Sequence, residues 1–407
     1  QRMKTLLKKI IPDVFIRALW HFPRAVLANV LFVFPAHTLT CIAIAGTKGK
    51  TSTSFFLAHL LNAAGRKTAL FSTAAVSDGT HESLNVWKMT TPDVFTIQRF
   101  LHNAIHSGST HAVLEVSSHA LKQYRVWGIP FSVVVITNLE PDHLEYHASA
   151  DEYVGVHQKL FSRKTKGYCV PDELHSTFNI QHGTSFRTSV RNPEHDDGRV
   201  WWLPLQRANL NTALCAARAL GLSDEECARA IETLPAPPGR FESIDEGQPF
   251  RVIVDYAHSP GSLEYFLSRV RPLVSGTLWV VFGACGDRDK DQRPVMAAVL
   301  ERYADHIILT TDDPYSEQPK DIARDVECGF TKTGSGAVFD QKTAPDPVFF
   351  TTILYRKEAI SYALSHAQPD DCVCILGKGA EQWQIFKDKK IPWDDRVVAR
   401  DIIRARA

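Results

Sequence analysis

Short apolar runs recur along the first half of the chain and alternate with stretches of helical periodicity. Four of them read as strands: residues 41–45, 67–73, 111–116 and 131–137. Nearly continuous apolar character is typical of parallel strands that are buried on both faces of a sheet. Their alternation with helical patterns predicts a doubly wound α/β domain.

The last part of the chain repeats this alternation. The strands predicted here are residues 251–255, 278–283, 306–310 and 372–376, and each ends in a polar or glycine-rich loop. Ligands of open α/β sheets bind beyond the carboxyl ends of the strands. Functional residues are therefore expected in those loops.

The region between the two sets of strands contains a domain boundary. Residues 165–200 are polar and rich in Pro, Gly and Asp, which predicts loops and short strands. A helix is predicted at 211–220 and is ended by Gly221. The segment Pro235–Gly239 has three prolines and a glycine, so it is the best place for the boundary.

The beginning of the chain is both apolar and basic. Residues 3–35 interleave lysines and arginines with large apolar side chains, and Pro12, Pro23 and Pro35 interrupt them. One interpretation is a pair of short helices that pack on the next domain. The other is an amphipathic anchor that lies at a membrane surface.

Composition limits the class of protein. The 407 residues are 44% hydrophobic and 22% charged with a formal net charge of +1, which is typical of a soluble globular protein and does not suggest a general nucleic-acid-binding protein. No apolar run reaches the ~20 residues that span a bilayer. The eight cysteines lack metal-site spacing and fit a reducing cytoplasm, and Cys372 and Cys374 are expected to be buried in a strand.

A glycine-rich turn follows the first strand. Gly46-Thr47-Lys48-Gly49-Lys50-Thr51-Ser52 stands between that strand and an apolar-periodic helix, although the general phosphate-loop pattern has a glycine where Ile44 stands. Backbone N–H groups and the helix dipole at such a turn attract an anion. Lys50 would contact the β- and γ-phosphates and Thr51 would reach Mg²⁺. The turn therefore predicts ATP binding.

Two further strands end in polar residues that should lie beside this turn. Glu115 ends the strand 111–116 and is a natural Mg²⁺ ligand next to a nucleotide phosphate. Thr137-Asn138-Leu139 ends the next strand and leads to Asp142-His143-Leu144. Parallel strands place these loops at one edge of the sheet.

Many short motifs, in this order, resemble those of the Mur ligases and most closely the MurE type. They cover nearly the whole chain and are, besides the glycine-rich turn, Thr90-Thr91-Pro92, Glu115 to Leu121 with Arg125, Thr137 to Leu139, Asp142 to Leu144, Pro238-Gly239-Arg240, Asp255 to His258, Phe282-Gly283, Gly286 to Asp289, Asp312-Asp313-Pro314 and Gly377-Lys378-Gly379 with Glu381. The number of motifs in the correct order makes the resemblance specific.

The resemblance implies an architecture and a reaction. It implies a short helical N-terminal segment (1–38), a central P-loop ATPase domain with a mostly parallel sheet (39–239) and a C-terminal Rossmann-like α/β domain (240–407). In this family ATP phosphorylates a carboxylate to an acyl phosphate, an incoming amine attacks it, and phosphate leaves. Catalysis of this kind is mainly positioning and charge stabilisation.

The resemblance also implies roles for individual residues. Lys50, Glu115, His143 and His157 would be catalytic, and Thr51, Glu115 and His143 would hold Mg²⁺. Residues 46–52 together with Asn211, Arg240, Asp255 and His258 would bind ATP between the two domains. Thr90, Thr91, Ser117 and Arg125 would hold the acceptor substrate, and the amino acid would be positioned by Arg288, Asp312, Asp313, Gly377 and Glu381.

Two departures from the family concern the start of the chain and the metal site. The phosphate loop begins at Gly46, too early for the usual uridine-binding domain, so the acceptor is expected to lack UDP, to be held by its sugar-peptide part, or to be linked to a lipid. His157 stands where these ligases often carry a carbamylated lysine. Because Mg²⁺ prefers oxygen, His157 is expected to position a water, with Lys159 as a substitute ligand or a single metal as the alternatives.

A third departure concerns the amino-acid pocket. Diaminopimelate-type enzymes resemble Asp-Asn-Pro-Arg where this chain has Asp312-Asp313-Pro314-Tyr315, and Ala380 replaces a common histidine. A carboxylate in place of the amide, without the arginine, favours a cationic side chain. Lysine or ornithine is therefore the predicted amino acid.

Three readings of function stay open. The first is a MurE-type ligase that uses ATP and Mg²⁺ on small molecules, as a cytoplasmic monomer without nucleic acid and with membrane contact through residues 3–35. The second is a related ligase with another acceptor, of the folate-polyglutamylating or pseudomurein type. The third is a nucleotide-binding pseudoenzyme, for which His157 is the main support.

Overall fold

The computed structural model describes residues 13–87, 89–139, 147, 149–186, 206–331 and 349–406. The chain divides into two compact units, Gln1–Pro235 and Ala236–Ala407. Each unit contains one large sheet with helices packed against it, as the two sets of apolar runs predict. The motifs around Asp142, His143 and Leu144 lie outside the described residues.

The first unit is built on an eight-stranded sheet with the order β4-β3-β2-β5-β1-β6-β7-β8. All neighbouring pairs from β2 to β8 are parallel, whereas β3 and β4 pair antiparallel at one edge. The strands are β1 (Thr40–Ala45), β2 (Thr68–Phe71), β3 (Ala75–Ser77), β4 (Glu82–Leu84), β5 (His111–Glu115), β6 (Phe131–Ile136), β7 (Gly167–Cys169) and β8 (Thr184–Ser185).

The central strands of this sheet are the ones with the longest apolar runs. From Cys41 to Ala45 every residue of β1 is buried, because helices cover both faces of the sheet. The helices of the first unit are α1 (Asp13–Ile16), a π-helical turn (Arg17–His21), α2 (Phe22–Leu31), α3 (Lys50–Ala63), α4 (Val94–His106), α5 (Ser118–Lys122), α6 (Ala150–His157), α7 (Arg207–Ala219) and α8 (Asp224–Glu232).

The described part of the N-terminal segment is helical and packs on the rest of the first unit. Ala25 and Ala28 of α2 are fully buried and form a cluster with Val94, to which Tyr124 and Trp127 add their rings. The Asn29 amide donates to the Trp127 carbonyl oxygen at 3.0 Å. Packing on the next domain is thereby confirmed for these residues, while the opposite face of α2 stays exposed.

The second unit has a six-stranded sheet with the order β13-β12-β11-β14-β10-β9, parallel except for β9. A separate antiparallel hairpin is formed by β15 and β16. The strands are β9 (Glu242–Ser243), β10 (Arg251–Asp255), β11 (Leu278–Phe282), β12 (His306–Leu309), β13 (Phe349–Thr352), β14 (Cys372–Leu376), β15 (Trp383–Phe386) and β16 (Lys389–Pro392). The helices are α9 (Pro260–Val270), α10 (Gln292–Tyr303), α11 (Pro319–Glu327), α12 (Arg356–His366) and α13 (Asp395–Arg404).

The cysteines behave in two ways. Cys372 and Cys374 are buried on the central strand β14, as predicted. Cys169 on β7 and Cys215 on α7 form a disulfide whose Cα atoms are 6.4 Å apart, a pairing that their separation of 46 residues does not reveal in the sequence. None of the described helices combines the length and the apolar character needed to cross a bilayer.

Candidate active site

The glycine-rich turn lies between the carboxyl end of β1 and the start of α3. Lys50 is the first residue of α3, and its ammonium group donates to the carbonyl oxygens of Gly46 at 2.9 Å and Thr47 at 2.8 Å. The ammonium is thus held against the turn at the positive end of a helix dipole. Thr51 and Ser52 follow within the first turn of α3 and are buried. This is the arrangement expected of a phosphate-binding loop.

The end of the neighbouring strand β6 fixes the backbone of this loop. The Thr137 hydroxyl donates to the Lys48 carbonyl oxygen at 2.6 Å. The Asn138 side chain both accepts from the Lys48 N–H at 2.9 Å and donates to the Lys48 carbonyl oxygen at 3.0 Å. Because these bonds hold the loop, its remaining N–H groups stay in place for an anion, and binding costs little conformational entropy.

Glu115 is the last residue of β5 and is almost completely buried. Its carboxylate accepts from the Thr51 hydroxyl at 3.1 Å, from the Thr73 hydroxyl at 3.1 Å and from the Thr73 backbone N–H at 2.6 Å. The predicted proximity of Glu115 to the phosphate loop is therefore present. Thr73 was not predicted from the sequence, since a lone threonine after a strand carries no distinctive signal.

The distance between the Thr51 and Glu115 oxygens is also compatible with a magnesium site. Ligands at 2.1 Å in octahedral geometry leave neighbouring oxygens about 3.0 Å apart, and the two oxygens here are separated by 3.1 Å. Both are the hard oxygen donors that Mg²⁺ prefers. His143, the third predicted ligand, lies outside the described residues.

Three of the four residues predicted to hold the acceptor are hydrogen-bonded around Glu115. The Thr91 hydroxyl donates to the Glu115 carbonyl oxygen at 2.9 Å and accepts from the Ser117 N–H at 3.0 Å. The Arg125 guanidinium donates to the Thr91 carbonyl oxygen at 2.6 Å. The hydroxyl oxygen of the fourth, Thr90, lies 3.0 Å from the Thr73 hydroxyl oxygen. The structure therefore brings these four positions together at the end of β5.

His157 is fully buried at the end of α6, whose Tyr153 contacts the phosphate loop through a 2.8 Å hydrogen bond with Thr47. The His157 Nδ1 lies 2.8 Å from the Tyr153 carbonyl oxygen, so Nδ1 carries the proton and Nε2 presents a lone pair. Nε2 is buried and has no hydrogen-bond partner. Burial lowers the pKa of His157 to about 4, so the ring is neutral at pH 7.

Lys159, the alternative to His157, points elsewhere. Its ammonium lies 5.0 Å from the centre of the Tyr124 ring and 3.4 Å from the Leu121 carbonyl oxygen. These contacts lie at the C-terminal end of α5 and account for the position of the side chain. Substitution of Lys159 for the family lysine would need a rearrangement of both contacts.

A second asparagine of helix α7, Asn209, contacts the phosphate loop. A Cβ atom at Gly49, whose φ is +80°, would lie 2.3 Å from the Asn209 Oδ1, so the two residues are packed closely and glycine is required. The Asn209 side chain donates to the Gln206 Oε1 at 2.7 Å. The predicted Asn211 lies two residues further along the same helix, and its Oδ1 is buried without a hydrogen-bond partner. The two residues are hard to tell apart in a sequence because they are two positions apart.

In the second unit, the residues predicted to bind adenosine lie at the end of β10. Asp255 accepts from the N–H groups of Phe241 at 2.8 Å and Ala257 at 2.9 Å. Its burial raises the pKa of Asp255 to about 6, against the opposing effect of Arg240. The Arg240 guanidinium lies 4.4 Å from the centre of the Tyr256 ring, and His258 Nδ1 lies 2.7 Å from the Tyr256 carbonyl oxygen.

The amino-acid motifs form a buried cluster of charges, which we call the carboxylate cluster. The Lys378 ammonium is fully buried and lies 3.1 Å from Asp312, 2.8 Å from Asp313 and 3.0 Å from Glu381. Although burial alone would lower the pKa of Lys378, the three carboxylates raise it above its ordinary value, so it is charged. The prediction from Asp313 had not counted Lys378 as its partner.

One oxygen of this cluster is unused. The Asp312 Oδ2 is buried and has no hydrogen-bond partner, and burial raises the pKa of Asp312. A Cβ atom at Gly377, whose φ is +112°, would lie 2.5 Å from this oxygen, so glycine keeps the space beside it open. The three carboxylates could hold a metal ion by their spacing, but the Lys378 ammonium already occupies their centre. The cluster is better suited to an amine.

Two arginines near the carboxylate cluster differ in their burial. Arg356 is fully buried and forms a two-point ion pair with Asp395 at 2.6 Å and 2.7 Å, so its charge is compensated. The predicted Arg288 is exposed in the loop after β11. Burial raises the pKa of Tyr315 to about 12, and the positive charge of Arg288 opposes this effect.

Comparisons with known proteins agree with this geometry. A family profile described as the Mur ligase middle domain matches residues 44–182, and one described as the Mur ligase, glutamate ligase domain matches residues 239–379. The UDP-N-acetylmuramoyl-L-alanyl-D-glutamate–2,6-diaminopimelate ligase of Geobacillus kaustophilus is 36% identical, over 94% of this chain and 82% of its own length. The ligase of the same name from Listeria monocytogenes is 32% identical, over the same shares of the two chains.

Solved structures give the same result at lower similarity. A structure of a ligase of that name covers 97% of this chain and 84% of its own, with a TM-score of 0.58 and 27% identity. A folylpolyglutamate synthase of Mycobacterium tuberculosis covers 87% of this chain and 92% of its own, with a TM-score of 0.64 and 16% identity. At that identity the second likeness shows a common fold and no more.

Proposed function

Because the chain belongs to the Mur ligase family and is an ATP-dependent, amide-bond-forming ligase, we propose that it joins an amino acid to a muramoyl-dipeptide carboxylate in cell-wall peptide synthesis. The observation that carries this proposal is the contact between Thr51 of the phosphate loop and the buried Glu115 carboxylate, with Thr91 and Ser117 bonded to the same strand end. Phosphate-binding and acceptor-binding groups are adjacent there.

The reaction follows from these positions. A carboxylate oxygen of the acceptor attacks the γ-phosphorus of ATP, ADP leaves, and an acyl phosphate forms. The amine of the incoming amino acid then attacks the acyl carbon, loses a proton, and displaces phosphate. Lys50 is placed to compensate the phosphate charge during the first step. When bound, Mg²⁺ would add charge compensation, held by Thr51, Glu115 and, as proposed from the sequence, His143.

Further roles are assigned in the same proposal. Thr90, Thr91, Ser117 and Arg125 hold the acceptor, and His157 positions a buried water through its free Nε2 lone pair. The adenosine part of ATP is assigned to Asn211, Arg240, Asp255 and His258. A cytoplasmic monomer that contacts a membrane through residues 3–35 completes the proposal.

The amino acid is proposed to be lysine or ornithine. The carboxylate cluster brings three carboxylates to one buried ammonium, and its Asp312 Oδ2 has no hydrogen-bond partner, which favours a second ammonium group. Arg288, Asp312, Asp313, Gly377 and Glu381 would position it. Diaminopimelate is the competing candidate, since the similar ligases from Geobacillus and Listeria carry that compound in their names.

The test is phosphate release from ATP and Mg²⁺ by the purified chain. Lysine, ornithine and diaminopimelate are each supplied with UDP-N-acetylmuramoyl-L-alanyl-D-glutamate or with the same acceptor without UDP. Release that needs both an acceptor and a basic amino acid is expected. Phosphate release with diaminopimelate, but with neither lysine nor ornithine, would show that diaminopimelate is the amino-acid substrate. ATP binding without phosphate release for any pair would refute the proposed acceptor and amino acids.

A variant pair connects that activity with the loop. Lys50→Ala removes the charge beside the phosphates and is expected to lower turnover by at least about 10³-fold. Lys164→Ala, which changes an exposed lysine of the same unit, is the control and should retain turnover. Equal activity of the two variants would refute the role of Lys50.

A further inference from the structure

The segment 15–34 has an unusually apolar surface. Of the 19 large hydrophobic side chains that are exposed among the described residues, nine lie in these 20 positions. They are Phe15, Leu19, Trp20, Phe22, Leu27, Val30, Leu31, Val33 and Phe34. Such a concentration of exposed apolar side chains in one segment indicates an interaction site, whereas single exposed apolar residues do not.

The packing of α2 fixes which side of the segment faces outward. Its inner side consists of Ala25, Ala28 and Asn29, which are fully buried. Leu27, Val30 and Leu31 lie on the opposite side of the helix, and their exposed fractions are 58%, 57% and 63%. Because the small residues hold the helix against the first unit, the large ones have no place in its core.

The outward side is made by residues from both helical stretches of the segment. Leu19 and Trp20 of the π-helical turn add exposed fractions of 74% and 58%, and Val33 adds 82%. We call Leu19, Trp20, Leu27, Val30, Leu31 and Val33 the apolar face. The Arg24 guanidinium lies 5.2 Å from the centre of the Trp20 ring, so a positive charge stands at its border.

The charge of the surrounding sequence indicates the partner. Residues 1–38 contain six lysines and arginines and a single acidic residue, Asp13, which gives a net charge of +5. The next acidic residue along the chain is Asp78. The rest of the protein nearly balances this charge, since the whole chain has a net charge of +1. An apolar face within a basic segment complements a surface that is apolar inside and negatively charged outside.

We propose that the apolar face lies in the headgroup region of an anionic lipid bilayer and holds the protein at the membrane surface. The face would enter the bilayer to the depth of its large side chains, while the net positive charge of the segment attracts the lipid phosphates. A second copy of the chain is a poorer partner, because a two-fold contact would bring two segments of charge +5 together. The inference rests on the proposed membrane contact of residues 3–35 and names its residues and lipid. Lipid binding is measured without ATP or substrates, so its result is separate from that of the ligase assay.

The experiment is co-sedimentation of the full chain with vesicles. One preparation contains phosphatidylcholine only and the other contains phosphatidylcholine with phosphatidylglycerol. The protein is expected to bind the anionic vesicles and to bind them more weakly as salt is raised, because the charge interaction is screened. Leu27→Gln with Leu31→Gln should reduce binding by about tenfold.

The control changes two equally exposed apolar residues elsewhere. Val295 and Val397 are each 51% exposed in the second unit, so Val295→Gln with Val397→Gln should bind vesicles like the unchanged chain. Lys8→Gln with Lys9→Gln removes two positive charges and should weaken binding to the anionic vesicles only. All variants are compared after their thermal unfolding has been shown to match.

Two outcomes would overturn the proposal. The first is absence of binding to anionic vesicles, or equal loss in the Leu27/Leu31 variant and its control. The second is a dimer, measured by light scattering after size-exclusion chromatography, that dissociates in the Leu27/Leu31 variant while vesicle binding is unchanged. That result would assign the apolar face to a second copy of the chain.

Discussion

Removal of the Lys378 ammonium is the most direct test of the carboxylate cluster. Lys378→Met keeps most of the side-chain volume and removes the charge that Asp312, Asp313 and Glu381 share at 2.8–3.1 Å. Breaking a buried ion pair from one side costs about 3–5 kcal/mol, because the other side stays charged without a partner. The side chain is fully buried, so no allowance for solvent is needed.

The assay is unfolding in urea and by heat, with tryptophan fluorescence as the probe. A loss of about 3–5 kcal/mol in a unit of this size corresponds to a fall of roughly 6–20 °C in Tm. Lys357→Met, which changes an exposed lysine of the same unit, should be within about 0.5 kcal/mol of the unchanged protein. Asp313→Asn added to Lys378→Met should restore about 1–2 kcal/mol, since it removes one of the carboxylate charges from which the ammonium was taken away.

The pH dependence gives a second check on the same variant. The pKa of Asp312 is raised by burial even in the presence of Lys378, and the loss of Lys378 raises it further. A carboxyl with a raised pKa in the folded state binds protons more readily there than in the unfolded state, so its contribution to stability falls as pH rises. The Lys378→Met defect should therefore be larger at pH 8 than at pH 5. A defect below about 1 kcal/mol, or one that grows on acidification, would refute this account of the cluster.

Three further predictions concern specificity, titration and the phosphate loop. Asp313→Asn with Tyr315→Arg should shift kcat/KM from lysine towards diaminopimelate by at least about tenfold, because two charge changes favour a distal carboxylate; an unchanged ratio would contradict the proposed pocket. The His157 ring should titrate near pH 4 in NMR spectra of labelled histidine, with His157→Gln as the assignment; because its pKa is lowered, the stability it supports is complete above pH 6.5 and falls by roughly 3 kcal/mol towards pH 4. Asn209→Ala should weaken binding of ATP by about tenfold in calorimetry and more than Asn211→Ala does, and the reverse order would favour the prediction from the sequence.

The central strands of both sheets were predictable because they are buried on two faces. The runs at residues 41–45, 251–255 and 372–376 correspond to β1, β10 and β14 within one residue. The hairpin of β15 and β16 was not predicted, because β16 is exposed throughout and its residues, Lys389 to Pro392, have no apolar alternation. Patterns of hydrophobicity report burial, so strands at the surface leave little trace in them.

The candidate site was predictable to the extent that its residues end neighbouring strands. Glu115 and the phosphate loop meet because β5 and β1 are parallel partners, and Ile44 is paired with Glu115 in their register. The contact of Tyr153 with Thr47 joins residues 106 positions apart and follows no strand end. It depends on how α6 packs, which a single sequence does not encode in any local pattern.

A contact between residues far apart in the sequence also explains the revised view of the amino-acid pocket. Counting charges along the motif Asp312-Asp313-Pro314-Tyr315 gave an acidic pocket, yet Lys378, more than 60 positions later, neutralises part of it. The proposed preference for a cationic side chain rests on Glu381, which joins the cluster as a third carboxylate, and on the ion pair that Arg356 forms with Asp395. A lysine side chain would bring one positive charge to the three carboxylates, whereas the distal end of diaminopimelate would bring an ammonium and a carboxylate with no net charge. Discrimination between the two thus depends on charge balance over the whole cluster rather than on Asp313 alone.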